Sequence, residues 1–327
     1  MTWPRAAFRS ALARAASLAQ SRAPGPRLAV DTSIGFDAEA MGPDLDAYLA
    51  RREARFADIA PGVQKRILWA GAAGARTDLS VVYIHGFSAT CEEIRPVPDQ
   101  VAQALGANLF YTRLAGHGLG GAALAGATSG QWMDDLAEAL AIAGRIGRKV
   151  LVIATSTGAT LAALGATDPR LSTQIRGLVM ISPNFRIRNP AAMLLTLPFA
   201  PTWLPRLAGR DRAFPARHPR QATYWTLRYP TAALFPMAAL VAQAARQDFA
   251  AARQPALFIY APADRVVDQR RTARVAARWG GPSQEAQRVM GPGDDPDSHV
   301  IAGDILSPGQ TEDTARLIIG WARTHAA

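Results

Sequence analysis

A serine hydroxyl is a weak nucleophile until a base takes its proton, so the informative serine is one that an imidazole can reach. In the stretch KVLVIATSTGATLAAL, Lys149–Leu164, β-branched and aliphatic residues lead straight into Thr155-Ser156-Thr157-Gly158, and an Ala-rich helical pattern starts without a loop. Two readings compete for Ser156: an N-cap at a tight strand-to-helix turn, or a nucleophile on a strained elbow. Downstream residues separate them. Asp264, in Pro262-Ala263-Asp264, and His299, in Asp297-Ser298-His299, each follow a segment that reads as a strand. An N-cap serine explains neither. As a set they form a base near neutral pH in His299 and, in Asp264, an acid that fixes the ring tautomer and stabilises the imidazolium. The oxyanion that forms on attack is expected to meet two backbone N–H groups, those of Phe87 and Thr157.

The rivals of each residue are weaker. His325 lies in the last residues and His218 in the Arg/Pro stretch PARHPR, while His85 and His117 sit beside glycines in turn motifs. Asp268 opens a helical pattern and reads as a helix-start residue. Ser88 offers a hydroxyl beside Phe87, and Asn184 follows another strand end as a polar pocket group. Trp203, Trp225, Tyr224 and Phe235 are the large side chains expected to line an acyl pocket. Glu92, Glu93 and Arg95 follow the Phe87 loop and are expected to cap a helix and face solvent.

These groups need a scaffold that brings strand ends together. Strands are expected at Gln64–Trp69, Leu79–His85, Asn108–Thr112, Lys149–Ala154, Gly177–Ile181, Ala256–Tyr260 and Ala286–Met290, with a hairpin-like turn over Gly71–Asp78. Helices are expected at Leu45–Ile59, Val97–Leu105, Gln131–Ile146, Gly158–Ala166, Gln269–Trp279 and Thr311–Thr324. The strands are short and continuously apolar, as when both faces of a sheet are covered. Their alternation with helices predicts a mostly parallel, doubly wound sheet, in which functional groups collect beyond the carboxyl ends of the strands. Between Pro183 and Pro255 no strand is expected; Pro-punctuated, apolar helical segments there predict an inserted cap over 185–252, with the core made of 31–184 and 253–327. Pro198, Pro201, Pro205 and Pro215 divide this cap into short helices of the kind that open as lids.

Composition narrows the partners. Of 327 residues, 49% are hydrophobic and 19% charged, a globular balance, and the formal net charge is +10. That charge comes from scattered arginines, with Lys65 and Lys149 the only lysines, and forms no basic run of the nucleic-acid-binding kind. Cys91 stands alone, which forbids an intrachain disulfide and suits the cytoplasm. Residues 1–30 form a tail interrupted by Arg5, Arg9 and Arg14. This lacks a continuous apolar core for secretion, and is read as a solvated amphipathic helix or a weak membrane-surface contact.

The motifs YIHGF (Tyr83–Phe87), RLAGHG (Arg113–Gly118), ATSTG (Ala154–Gly158), PADRVVD (Pro262–Asp268) and SHV (Ser298–Val300) occur in an order and spacing that resembles the α/β-hydrolase fold. Within it the chain is similar to the carboxylesterase, monoacylglycerol lipase and lysophospholipase-like group, from about Leu79 to the C-terminus. The resemblance implies ester hydrolysis through an acyl-enzyme, with Ser156 as nucleophile, Asp264 as acid and His299 as base, and with neither cofactor nor metal. The substrate it implies is a small or lipid-like ester. Ala154 replaces the first glycine of the usual Gly-x-Ser-x-Gly elbow. Two alternatives stand beside this reading: an amidase or aminopeptidase-like hydrolase with the same three residues, and a non-catalytic hydrolase-fold binding protein. Haloalkane dehalogenases and epoxide hydrolases carry an aspartate where Ser156 stands.

Overall fold

Sheet formation follows from where the β-branched residues run. In the computed structural model, which describes residues 30–326, seven strands make one sheet: β1 (Arg66–Leu68), β2 (Thr77–Ile84), β3 (Asn108–Tyr111), β4 (Gly147–Thr155), β5 (Gly177–Ile181), and, after the insertion, β8 (Ala256–Tyr260) and β9 (Ser283–Gln287). Their spatial order is β1-β3-β2-β4-β5-β8-β9. Every neighbouring pair is parallel except β1 with β3. The tail read at residues 1–30 lies, apart from Val30, outside the described residues, and its surface contact with it.

The two sheet faces separate side chains with the two-residue period of a strand. Val82, Ile84, Val152, Ala154, Leu178, Met180 and Phe258 belong to one apolar cluster, and Val81, Tyr83, Leu151, Ile153, Val179, Ile181, Leu257 and Ile259 to the other. Helix α4 (Ser129–Ile146) and helix α5 (Ser156–Thr167) cover the first face; α2 (Val97–Ala104) and α10 (Pro308–His325) cover the second. Thr128 starts α4 with a reciprocal capping box to Gln131, which satisfies two otherwise unpaired donors. The first helix, α1 (Leu45–Glu53), ends six residues before the expected Ile59.

Four expectations need correction. No β1–β2 hairpin forms across 71–78; β1 crosses to pair with β3, with Ile67 opposite Phe110. The last strand is Ser283–Gln287 rather than Ala286–Met290, because it is a polar, largely exposed edge strand that hydrophobicity does not mark. Helix α3 (Gly120–Gly126) was not expected, since its Gly-rich sequence has poor helix propensity. The segment between β5 and β8 holds α6 (Ala200–Ala208), α7 (Pro219–Tyr224) and α8 (Leu234–Ala244), but also an antiparallel ribbon, β6 (Asp211–Ala213) with β7 (Arg228–Pro230). Three-residue strands are too short to show an alternating pattern.

Candidate active site

The elbow after β4 is built by steric demand. Ser156 has a φ of +51°, a left-handed conformation that costs a non-glycine residue on the order of 1–3 kcal/mol and turns its side chain out of the strand line. Helix α5 begins on that same residue. Two residues on, a Cβ at Gly158 would stand 2.5 Å from the carbonyl oxygens of both Ile84 and His85. Only glycine therefore lets α5 lie against the end of β2. Across the gap, a Cβ at Gly86 would stand 3.1 Å from the Ser156 Cβ, so the His85–Ser88 turn closes directly on the serine. Ala154 is fully buried within β4, where its methyl group is accommodated.

Three side chains that are far apart in sequence meet here. The Ser156 Oγ lies 3.0 Å from His299 Nε2, and His299 Nδ1 lies 2.9 Å from Asp264 Oδ2. With Nδ1–H donating to the carboxylate, Nε2 is left to accept the serine proton, a tautomer assigned from the hydrogen-bond network. Asp264 is fully buried, and its Oδ1 accepts the backbone N–H groups of Val266 and Val267 at 2.7 and 2.9 Å. The histidine loop is tied in the same way: Asp295 Oδ2 accepts the N–H groups of His299 and Val300, each at 3.0 Å. Burial disfavours the His299 imidazolium, yet the charge and hydrogen bond of Asp264, with Glu93 and Asp295 behind it, outweigh burial and hold its pKa above the ordinary value.

The rival residues are placed elsewhere. Asp268 is the N-cap of α9 (Gln269–Ala276), accepting from Arg270 N–H. His85 and His117 are fully buried and meet edge-on, their ring centroids 4.8 Å apart. Burial pushes the His117 imidazole down to about 4 and that of His85 well below its usual range, so both stay neutral. His85 Nε2 accepts the Leu114 N–H at 3.1 Å and its Nδ1 donates to the Gly86 carbonyl at 2.9 Å, bracing the turn. His218 caps α7, and His325 bonds the Trp321 carbonyl near the C-terminus.

Thr157 is the second residue of α5, where backbone N–H groups have no intrahelical acceptor. Phe87 sits in the turn that faces Ser156, its ring edge-on to Tyr229 of β7 at 5.3 Å. The next carbonyl, that of Ser88, accepts Thr226 N–H at 2.7 Å. The ribbon segment thus rests on this turn. Asn184 donates its backbone N–H to the Ser156 carbonyl at 3.1 Å, and its Oδ1 is buried without a partner among the described residues. Trp225 packs in the cluster that holds Ala89 and Val300, neighbours of Ser88 and His299. Trp203 packs on the other cluster, its indole N–H donating to the Pro198 carbonyl at 3.0 Å. Tyr224 is half-buried beside Trp225, and Phe235 is buried in α8.

Glu92 and Glu93 overturn the solvent-facing expectation. They lie on a 3-10 turn, Cys91–Glu93, at 6% and 3% exposure. Glu92 pairs with Arg95 at 2.8 Å, with Arg66 and Arg220 at 3.7 Å. Sequence reasoning favoured a solvent-facing helix start for Glu93 because an acid after a turn normally marks one; only tertiary packing buries it.

The comparisons agree with this architecture. The profile of the serine aminopeptidase S33 family matches residues 75–291. No curated protein sequence matches the chain. Among solved structures, one from the pair LipS and LipT, metagenome-derived lipolytic enzymes, is 18% identical, with a TM-score of 0.67 over 82% of this chain and 100% of that one. Monoglyceride lipase from Saccharomyces cerevisiae, in complex with a substrate analogue, is 13% identical, with a TM-score of 0.62 over 81% and 91%. Monoacylglycerol lipase of Paleococcus ferrophilus is 14% identical, with a TM-score of 0.57 over 80% and 99%. At such identities the likeness establishes a shared fold. With its mostly parallel sheet, flanking helices and two-thirds family match, the chain belongs to the serine aminopeptidase S33 family of α/β-hydrolases.

Proposed function

We propose that the protein is a serine hydrolase that cleaves carboxylic esters with small or lipid-like acyl groups through an acyl-enzyme. The observation that carries this reading is the continuous chain of hydrogen bonds from Ser156 Oγ to His299 and on to Asp264, at 3.0 and 2.9 Å. As Ser156 Oγ attacks the carbonyl carbon, its proton passes to His299 Nε2, and Asp264 stabilises the resulting imidazolium. The N–H groups of Phe87 and Thr157 receive the oxyanion. Collapse expels the alcohol, which takes the proton from His299; water, deprotonated by the same imidazole, then releases the acid.

The segment over 185–252 acts as a cap over this site in the proposal, with Trp203, Trp225, Ser88 and Asn184 bordering the substrate. Ser156 is 6% exposed and His299 9%, so the reacting atoms of this proposal lie in a recess. No helix among the described residues is long and apolar enough to cross a membrane.

The family name and the lipolytic neighbours point to different bonds, and the charge distribution favours the ester. Recognition of a substrate amine needs a free carboxylate near the serine. From 185 to 247 the sole acid is Asp211, which is exposed and lies 3.5 Å from Arg228. Glu92 is already committed to three arginines. The test sets nitrophenyl acyl esters of graded chain length against aminoacyl amides, with Ser156→Ala as control and a fluorophosphonate as probe. Ester turnover and probe labelling lost in Ser156→Ala are the expected results. Amide preference would favour the aminopeptidase reading, and an unlabelled wild type a non-catalytic binding protein.

A further inference from the structure

Glu93 is a buried carboxylate to which the proposed reaction gives no part. Its Oε2 accepts the Gly86 N–H at 2.7 Å and bonds the Tyr83 hydroxyl at 3.0 Å. That hydroxyl also lies 3.1 Å from Oγ1 of Thr155, the residue before the serine. A Cβ on Gly86 would stand 2.7 Å from Glu93 Oε1 and 3.1 Å from Ser156 Cβ, so carboxylate and nucleophile border the same small volume. On its other side the backbone of Glu93 meets the loop that carries His299. A Cβ at Gly303 would lie 2.6 Å from Ile94 Cα and 2.9 Å from the Glu93 carbonyl oxygen, and Asp304 N–H donates to the Arg95 carbonyl at 2.9 Å. Glu93 therefore stands where the loops bearing Phe87, Ser156 and His299 converge.

We propose that Glu93 is a positioning residue of this site: its carboxylate fixes the Gly86 amide, and through it the adjoining Phe87 N–H, while its negative charge supports the protonated form of His299. The inference rests on the esterase reading above. When His299 takes the serine proton it becomes a buried cation, and a second nearby anion lowers the energy of that state. The charged groups that act on this imidazole are Asp264, Glu93 and Asp295. The titratable groups around Glu93 are Tyr83 and His299, beside the Gly86 N–H. Burial pushes the Glu93 carboxyl up, and the Gly86 N–H, the imidazole and the Tyr83 hydroxyl oppose that rise. The same charge also faces the oxyanion, so its effect is read on the ionisation of His299 and not on rate alone.

The experiment compares the pH profile of kcat/KM on a nitrophenyl ester, and of the fluorophosphonate labelling rate, in wild type and Glu93→Gln. Glutamine keeps an acceptor for the Gly86 N–H and removes the charge. The acid limb is expected to move to lower pH by about half a unit or more in both readouts, a roughly threefold gain on that limb relative to the plateau. Glu93→Asp restores the charge and is expected to return the limb toward its wild-type position, with kcat still reduced because the shorter side chain releases Gly86. Superimposable limbs in wild type and Glu93→Gln overturn the proposal, as does a Glu93→Asp limb that follows the glutamine variant. If Glu93→Gln does not fold, Tyr83→Phe replaces it: stripping a donor from the carboxylate favours its neutral form and moves the limb the same way, and an unmoved limb overturns the proposal again. A wild type without Ser156-dependent hydrolysis and labelling defeats the esterase reading itself, whereas hydrolysis with an unmoved limb defeats only the part given to Glu93.

Discussion

Gly86 faces Ser156 with no room between them: a methyl group on its Cα would lie 3.1 Å from the serine Cβ and 2.7 Å from Glu93 Oε1. Gly86→Ala must therefore displace Ser156, the Glu93 carboxylate or the turn that carries the Phe87 N–H. Overpacking of this kind costs about 1–3 kcal/mol, and loss of one oxyanion donor costs about 10²–10³ in kcat. We expect a folded variant with a modestly lowered Tm and a kcat on nitrophenyl esters reduced by that order. A kcat near wild type would show that the turn has slack which the packing does not suggest.

The proposed base must be neutral to act, so activity is expected to fall as pH drops through the His299 pKa, which stands above its ordinary value. Asp264→Asn removes the principal opposing influence and leaves burial to dominate, which moves the acid limb to lower pH. The amide also favours the wrong ring tautomer, and kcat should fall by about 10⁴. For folding the sign is set by the raised native value. The His299 contribution to stability is fully present below the unfolded-state pKa and is lost as pH rises through the folded one. Thermal unfolding of wild type and His299→Ala across pH 5–9 (an interval chosen to bracket about 6.5) should show their Tm difference shrink toward the alkaline end.

Lys65 is a test of stability away from the reaction. It is 6% exposed, and its ammonium bonds Asp135 at 2.7 Å and also Glu138. Burial works against its charge, but the two carboxylates more than offset this and raise its pKa. Lys65→Met leaves buried Asp135 without its cation and Glu138 with only the partly exposed Arg52, 3.3 Å away, and breaking such a group costs about 3–5 kcal/mol. Chemical denaturation should show a loss of this size. A near-neutral result would mean that the acids protonate or find water at little cost.

Trp203 and Trp225 carry the proposed acyl pocket and differ in how closely they are tied to the site. Trp225 shares a cluster with Ala89 and Val300, and the next residue bonds the Ser88 carbonyl. Trp203 is fixed by Pro198 within its own segment. Alanine at either position should move the chain-length optimum of ester hydrolysis, with the larger shift for Trp225→Ala. Chain-length profiles identical to wild type in both variants would remove these residues from the pocket.

Arg217 reaches across to Asp297, two residues before His299, at 2.5 Å. Both side chains are about two-fifths exposed, so solvent screens the pair, and exposed pairs contribute only about 0–1 kcal/mol. Arg217→Ala should leave Tm within about a degree or two of wild type. A large loss of Tm would mean that this contact holds the segment over 185–252 in place.

The residues on which the proposed chemistry rests were legible in the chain because local steric rules mark them. An aliphatic run that breaks on Ser156, with Gly158 two residues on, can be read as an elbow. Asp264 and His299 can be found because each follows a strand-like segment, and the β2, β4, β5 and β8 strands are apolar enough to be recognised alone. The polar edge strand β9, the three-residue ribbon and the β1–β3 pairing were not legible, since their stability comes from partners distant in sequence and not from a local pattern. Glu93 shows the same limit most clearly. By sequence it is an acid after a turn; the fold lays Gly303 against its backbone and Gly86 against its side chain, and so buries a carboxyl group beside Ser156. Sequence alone determined which residue types are available to the proposed chemistry, because that depends on side-chain type and local backbone. Tertiary structure alone decided which of them share a field, because electrostatic coupling depends on distances that only the closed sheet and its loops set.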